Sequence, residues 1–267
     1  MKRILPLCLF LAAPLSSMAE GGLWLEAGAE KTLNKKWSVE MSLGHRQENN
    51  LAQSTRWNGA LAVNYKVMSG LKLTAGYQYI HDYKDEEGKI NYTKKGNING
   101  YNVDAAFWRP RHRLHLDATY KWKPNKRWAF SLRERYQFTQ NMEATTTEWK
   151  YRDAAAQGQY SYQGERFERL TSEPELKKAS SKYYLRSRFK AEYNIKGCPL
   201  TPFATYEIAN NLAESFDIVR HRFTLGSEWN INKQHTISAA YLHQIGSSDN
   251  DNEAPLNILD ISYTFKF

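Results

Sequence analysis

The chain has 267 residues, a formal charge of +9 and a mean hydropathy of −0.71. Beyond residue 19 no stretch approaches 18 consecutive apolar residues, which excludes a membrane-spanning helix. Its two cysteines, Cys8 and Cys198, exclude a disulfide framework. Low hydropathy is compatible with a membrane barrel, whose strands are apolar only at alternate positions. An aromatic content of 13%, with 17 Tyr and 8 Trp, favours strands and also supplies interfacial girdles.

Residues 1–19 read as a secretory signal peptide. Lys2 and Arg3 precede an apolar stretch from Ile4 to Leu15, and Ser17-Met18-Ala19 places small residues before a cut after Ala19. Pro6 and Pro14 interrupt the stretch, so it is not a spanning anchor, and Leu7 before Cys8 does not match a lipoprotein signal. Removing the segment takes away two basic residues and no acidic one. The remaining 248 residues carry +7 and the single thiol of Cys198.

From there, period-two alternation recurs to the end of the chain. A first, weaker segment holds Leu23, Leu25, Ala27 and Ala29. The next gives Trp37, Val39, Met41 and Leu43, followed by Trp57, Leu61, Val63 and Tyr65, then Leu71, Leu73, Ala75, Tyr77 and Tyr79. Two more run through Leu114 to Trp122 and Trp128 to Phe138. Later sets are Tyr183 to Tyr193, Ala204 to Ile208, Val219 to Trp229, Ile237 to Tyr241, and Leu259 to Phe267. Runs of about 10 to 12 residues suit tilted membrane strands better than ordinary soluble ones.

The links alternate in length. Short ones lie at Leu33–Lys36, Val67–Gly70, Lys123–Lys126, Ile195–Pro199 and Asn230–Lys233, long ones at 49–54, 83–110, 139–181, 209–217 and 246–256. Short periplasmic turns opposite long outer loops are the outer-membrane pattern. Trp37, Trp122, Trp128 and Trp229 border short turns as a periplasmic girdle. A soluble sandwich shares the alternation, but not the strand length, loop asymmetry or flanking Trp. The expected fold is therefore all-β: a transmembrane antiparallel up-and-down barrel spanning residues 20–267. Eleven segments are visible, whereas bacterial single-chain barrels have even numbers. The expected count is thus ten to twelve. Twelve is preferred, with a hidden strand in Tyr151–Phe167 or Asn97–Phe107.

The chain ends ISYTFKF, and Tyr263, Phe265 and Phe267 resemble the final-strand signal of outer-membrane barrels. That resemblance implies recognition by the barrel-assembly machinery. KKWSVEMSLGHR at 35–46, RPRHR at 109–113, LRERYQF at 132–138, LRSRFKAEYNI at 185–195 and TPFATYE at 201–207 resemble one uncharacterised family of Gram-negative outer-membrane barrels. The resemblance covers nearly the whole mature chain. It implies the fold and an integral outer-membrane location, with outer-membrane lipid as a partner. That family is a domain of unknown function and supplies no reaction, ligand or catalytic residue.

His45, His81, His112, His221 and His243 fall near the outer strand ends, without metal-motif spacing, and read as part of an interfacial ring. Ser227 shares a strand with His221 but lies six residues away, so no nucleophile–base pair is evident. No enzymatic activity, cofactor or metal is expected. Glu134 falls on the apolar face, with an expected place near an interface. The inward register collects 17 basic against 9 acidic residues. It includes Arg46, Arg56, Arg113, Arg133, Arg135, Arg186, Arg188, Arg220 and Arg222, against Glu40, Asp117, Glu192, Glu207 and Glu228. Arginines alternating along strands do not form a nucleic-acid patch. The expected function is a narrow, weakly anion-selective passage for small solutes, gated by the folded loop 139–181. The alternatives are a sealed structural or surface-binding barrel and, third, a membrane-embedded lipid-modifying enzyme.

Overall fold

The computed structural model describes residues 21–48, 51–246 and 256–267. The signal peptide, and parts of the links at 49–54 and 246–256, lie outside the described residues. In chain order the strands are β1 (Gly21–Thr32), β2 (Trp37–Glu48), β3 (Gln53–Met68), β4 (Leu71–Lys84), β5 (Glu87–Tyr92), β6 (Ile98–Asp104), β7 (Phe107–Trp122) and β8 (Trp128–Asn141). They continue as β9 (Ala144–Ala154), β10 (Tyr160–Tyr162), β11 (Glu165–Lys177), β12 (Ser180–Tyr193), β13 (Leu200–Asn211), β14 (Ile218–Asn230), β15 (His235–Ile245) and β16 (Leu256–Lys266). Two compact units result: one of residues up to 80, 112–140 and 181–267, the other of 81–111 and 141–180.

The first unit is a closed barrel in the order β1-β16-β15-β14-β13-β12-β8-β7-β4-β3-β2. Among the described residues it has eleven strands, within the expected range. Hairpins pair antiparallel around it. β1 closes on β16 in parallel, from Gly21↔Asn257 to Glu30↔Lys266. Parallel closure is what an odd count requires, because the last strand of a meander then runs in the same direction as the first. The weak first segment is a full twelve-residue strand, and neither proposed hidden strand joins the barrel.

Barrel strands run 11 to 16 residues, enough to cross a bilayer when tilted. Their alternation separates two surfaces. Leu43, Leu61 and Leu225 point outward and are 62% to 66% exposed, while Asn64, Gln137 and Glu207 point inward at 2% to 3%. A wall of exposed leucines would drive a soluble protein to aggregate; hydrocarbon is the solvent that suits it. The outward histidines join aromatic rings on neighbouring strands. The rings of His45 and Trp57 lie 3.9 Å apart, and Tyr77 Oη lies 2.7 Å from His112 Nδ1.

Short turns are closed by side chains. Asn34 Oδ1 accepts from the amides of Lys36 and Trp37, Asn125 from Arg127 and Trp128, and Asn232 from Gln234 and His235. Each is an Asx turn, which lets two membrane strands reverse within four or five residues. The tightest link is Ser69-Gly70, where Gly70 sits at φ +88° and an added Cβ would lie 2.6 Å from the Lys121 carbonyl oxygen.

The second unit is built from the long links at 83–110 and 139–181, and both segments proposed to hide a strand contribute to its sheet and not to the barrel. Its five-stranded sheet has the order β10-β11-β9-β6-β5. One face is apolar: Tyr101, Val103 and Phe167 are buried and pack with Ile98, Tyr151 and Tyr162. The Phe167 ring centroid lies 5.8 Å from that of Tyr101 and 5.6 Å from that of Tyr151. Lys150 projects to the opposite face, between Glu148 and Glu173, and these hydrogen-bonded carboxylates raise its pKa. Lys177 Nζ donates to Asp104 at 2.5 Å.

Candidate functional site: the charged lumen

The inward face of the barrel follows directly from strand alternation. On β12, Arg186, Arg188 and Lys190 point inward, on β14 Arg220 and Arg222, and on β8 Arg133 and Arg135. Glu207 on β13 stands opposite Arg188 on one side and Arg222 on the other. Register alone thus encloses one carboxylate between two arginine-bearing strands.

Side chains complete the cluster. Arg186 holds Glu207 Oε1 through Nη2 at 2.6 Å and Nε at 3.1 Å, and Arg133 Nη2 reaches Oε2 at 2.8 Å. Arg220, Arg222 and Arg188 approach at 3.6, 3.8 and 3.9 Å. Five guanidinium groups therefore share one carboxylate that is almost fully buried. Neutral acceptors take some of the remaining donors: Gln137 accepts from Arg186 at 2.9 Å and Gln244 from Arg222 at 2.7 Å. Beside the cluster, Arg135 binds Asp117 through two parallel bonds of 2.7 and 2.6 Å.

Further inward charges form groups of their own. Towards the short-turn end, Lys190 pairs with Glu228 at 2.6 Å and Glu192 at 3.0 Å, and Lys121 also contacts Glu192. Glu40 accepts from Asn64 at 2.6 Å and lies 3.8 Å from Lys72. A cavity of about 310 Å³ opens there, lined by Lys35, Lys36, Lys66 and Lys72 with Glu30. Arg113 donates to Gln78 and Thr139. Arg56 stands opposite Arg46 in the β2–β3 register.

Sequence reasoning missed an apolar group inside the lumen. Trp24 lies between two outward leucines and points inward, where it packs with Leu242, Ile258 and Leu256. The Arg46 guanidinium stacks 3.6 Å from its ring centre and that of Arg222 lies 5.0 Å away. The signal was present: in the β1, β15 and β16 segments the register that should be polar carries Trp24, Leu242 and Ile258.

Of the final-strand aromatics, Tyr263 Oη lies 2.7 Å from His235 Nδ1, and the rings of Phe265 and Phe267 stack 5.4 Å apart. The Phe267 backbone exchanges hydrogen bonds with Glu30 and Thr32 of β1.

A closed barrel with an apolar outer wall and a charged, mutually paired interior is a transmembrane β-barrel protein. The chain belongs to the family described as "Protein of unknown function (DUF2490)", whose model matches residues 21–254. No curated relative matches the sequence. Among solved structures it is similar to the β domain of the Bordetella autotransporter BrkA, at 12% identity over 85% of this chain and 79% of that one, with a TM-score of 0.45. It is also similar to the NanC porin, at 13% identity over 93% and 98%, with a TM-score of 0.46.

Proposed function

We propose that this chain is an integral outer-membrane protein whose lumen is a narrow passage preferring small anions. The observation that carries this reading is the set of five arginines around Glu207. A lumen with surplus fixed positive charge inside a low-dielectric wall concentrates anions and repels cations. The lysine-lined cavity at the short-turn end extends the same sign of field to one mouth.

The passage is narrow because its own side chains fill it. Eight strands leave just enough interior for side chains, and sixteen to eighteen leave a wide pore. Eleven strands fall between, and the long arginines of β8, β12 and β14 occupy that space. A sealed barrel is the second reading. It is favoured by the burial of Glu207, Arg186 and Arg220, which are only 3%, 9% and 7% exposed.

Proteoliposomes separate the two. Purified protein reconstituted into vesicles loaded with a chloride-quenched dye should admit chloride faster than protein-free vesicles do. Potassium influx, followed with a cation-sensitive dye, should stay near background. Chloride entry no faster than in empty vesicles, with folded barrel confirmed by heat-modifiable migration, would establish the sealed barrel instead.

A further inference from the structure

Among the described residues, the outer wall carries a carboxylate, Glu134, at a mid-strand position where hydrocarbon would be expected. The outward positions of β8 are Trp128, Phe130, Leu132, Glu134, Tyr136, Phe138 and Gln140, which makes Glu134 the central one. The strand does not place it near an end, where a carboxylate meets the interface cheaply. On the adjacent β12 the outward row is Ser181, Tyr183, Leu185, Ser187, Phe189, Ala191 and Tyr193, with Ser187 central. Ser187 Oγ donates to Glu134 Oε2 at 2.5 Å.

One hydroxyl satisfies only one of the acceptor positions of a carboxyl group, and lipid chains offer no donor. An ionisable side chain at mid-bilayer depth is costly and marks a place where another polar surface meets the wall. The next strand carries a complementary surface. Tyr206 on β13 points outward, and its hydroxyl lies 2.9 Å from His221 Nδ1 on β14. In either tautomer this pair keeps a free donor. It is the phenol proton if Nδ1–H donates to the tyrosine oxygen, or Nε2–H if the phenol donates.

Register agrees as well. Ser187 pairs with Ile208 on β13, and Ile208 with His221 on β14, so Glu134, Ser187 and His221 stand in one register row.

We propose that this sector of wall is the interface with a second copy of the same chain. A two-fold axis along the membrane normal beside β12 keeps each residue at its own depth and exchanges left for right. It therefore sets β8 of one copy against β13 of the other. Each Glu134 then meets the Tyr206–His221 pair of its neighbour, twice by symmetry, and Tyr136, Phe189 and Leu132 pack around the contact. The inference rests on membrane embedding and does not depend on conduction.

Cysteine cross-linking in native outer membranes tests it, in a Cys198→Ser background and with carbonate extraction run in parallel. Leu185→Cys lies beside the axis and should form a disulfide-linked dimer on oxidation. Met41→Cys, exposed on β2 across the barrel, should remain monomeric. Adding Glu134→Leu to Leu185→Cys should reduce the dimer by at least about tenfold, with folded barrel still seen by heat-modifiable migration. Absence of dimer with Leu185→Cys, equal cross-linking at Met41→Cys, or a dimer undiminished by Glu134→Leu would overturn the interface while leaving the membrane reading standing. Release of the protein by carbonate would overturn the membrane reading, and the interface with it.

Discussion

Replacing Glu207 by alanine is expected to destabilise the barrel by about 3–5 kcal/mol, because removing one partner from a buried ionic cluster leaves uncompensated charge. Asp117 is already engaged by two bonds from Arg135, and Gln137 and Gln244 offer no charge. Arg133 and Arg186, which make the shortest contacts, would lose their anionic acceptor. The matched control is Arg188→Ala. Its side chain is 39% exposed and lies 3.9 Å from the carboxylate, so its removal should cost no more than about 1 kcal/mol. Urea unfolding of protein reconstituted in lipid measures both. Equal small losses for the two variants would mean that water already screens the cluster. The arginines would then not be held by Glu207.

The second large effect concerns the five-stranded sheet. Phe167 is fully buried against Tyr101, Tyr151 and Val103. Truncation of a buried phenylalanine to alanine costs about 3–5 kcal/mol, and this small unit has one apolar cluster to lose. Phe167→Ala should therefore make residues 141–180 rapidly cleavable by protease in the folded protein, while the barrel keeps its heat-modifiable migration. Resistance equal to wild type would show that the sheet is held by its strand pairing and ion pairs, such as Lys150 with Glu173 and Lys177 with Asp104.

How much of this was legible in the sequence follows from period two. Where one face meets lipid and the other meets charge, alternation is unmistakable, as along β8 and β12, and both the barrel and its inward arginines follow. Which charges meet is a different matter. Glu207 and Arg133 are 74 residues apart, and their contact depends on β12 lying next to β8, with 38 intervening residues in another unit. Spacing along one chain carries no trace of that adjacency. The second sheet was hidden for a related reason. Its strands β9 and β11 are rich in Thr, Ser, Glu and Lys, and only a few apolar side chains such as Tyr101, Val103 and Phe167 mark its packed face. The eleven segments were legible, and all eleven are barrel strands. The preference for an even count fails because the parallel closure of β1 on β16 is a long-range pairing with no local signature. Trp24, Leu242 and Ile258 were visible as breaks in the polar register, and they mark where the lumen stops being a simple charged surface.

The claim that most needs a direct measurement is that the surplus of arginine around Glu207 governs what crosses the barrel. Single-channel recording in a planar bilayer, with a gradient of potassium chloride across it, reads this as a reversal potential. The arrangement of five guanidinium groups and one carboxylate predicts small conductance steps whose reversal lies on the chloride side of zero. Introducing Arg188→Glu together with Arg222→Glu should move it towards potassium. Reversal on the potassium side in the wild-type protein would contradict the account, because the fixed charge that the lumen presents to ions would then have the opposite sign.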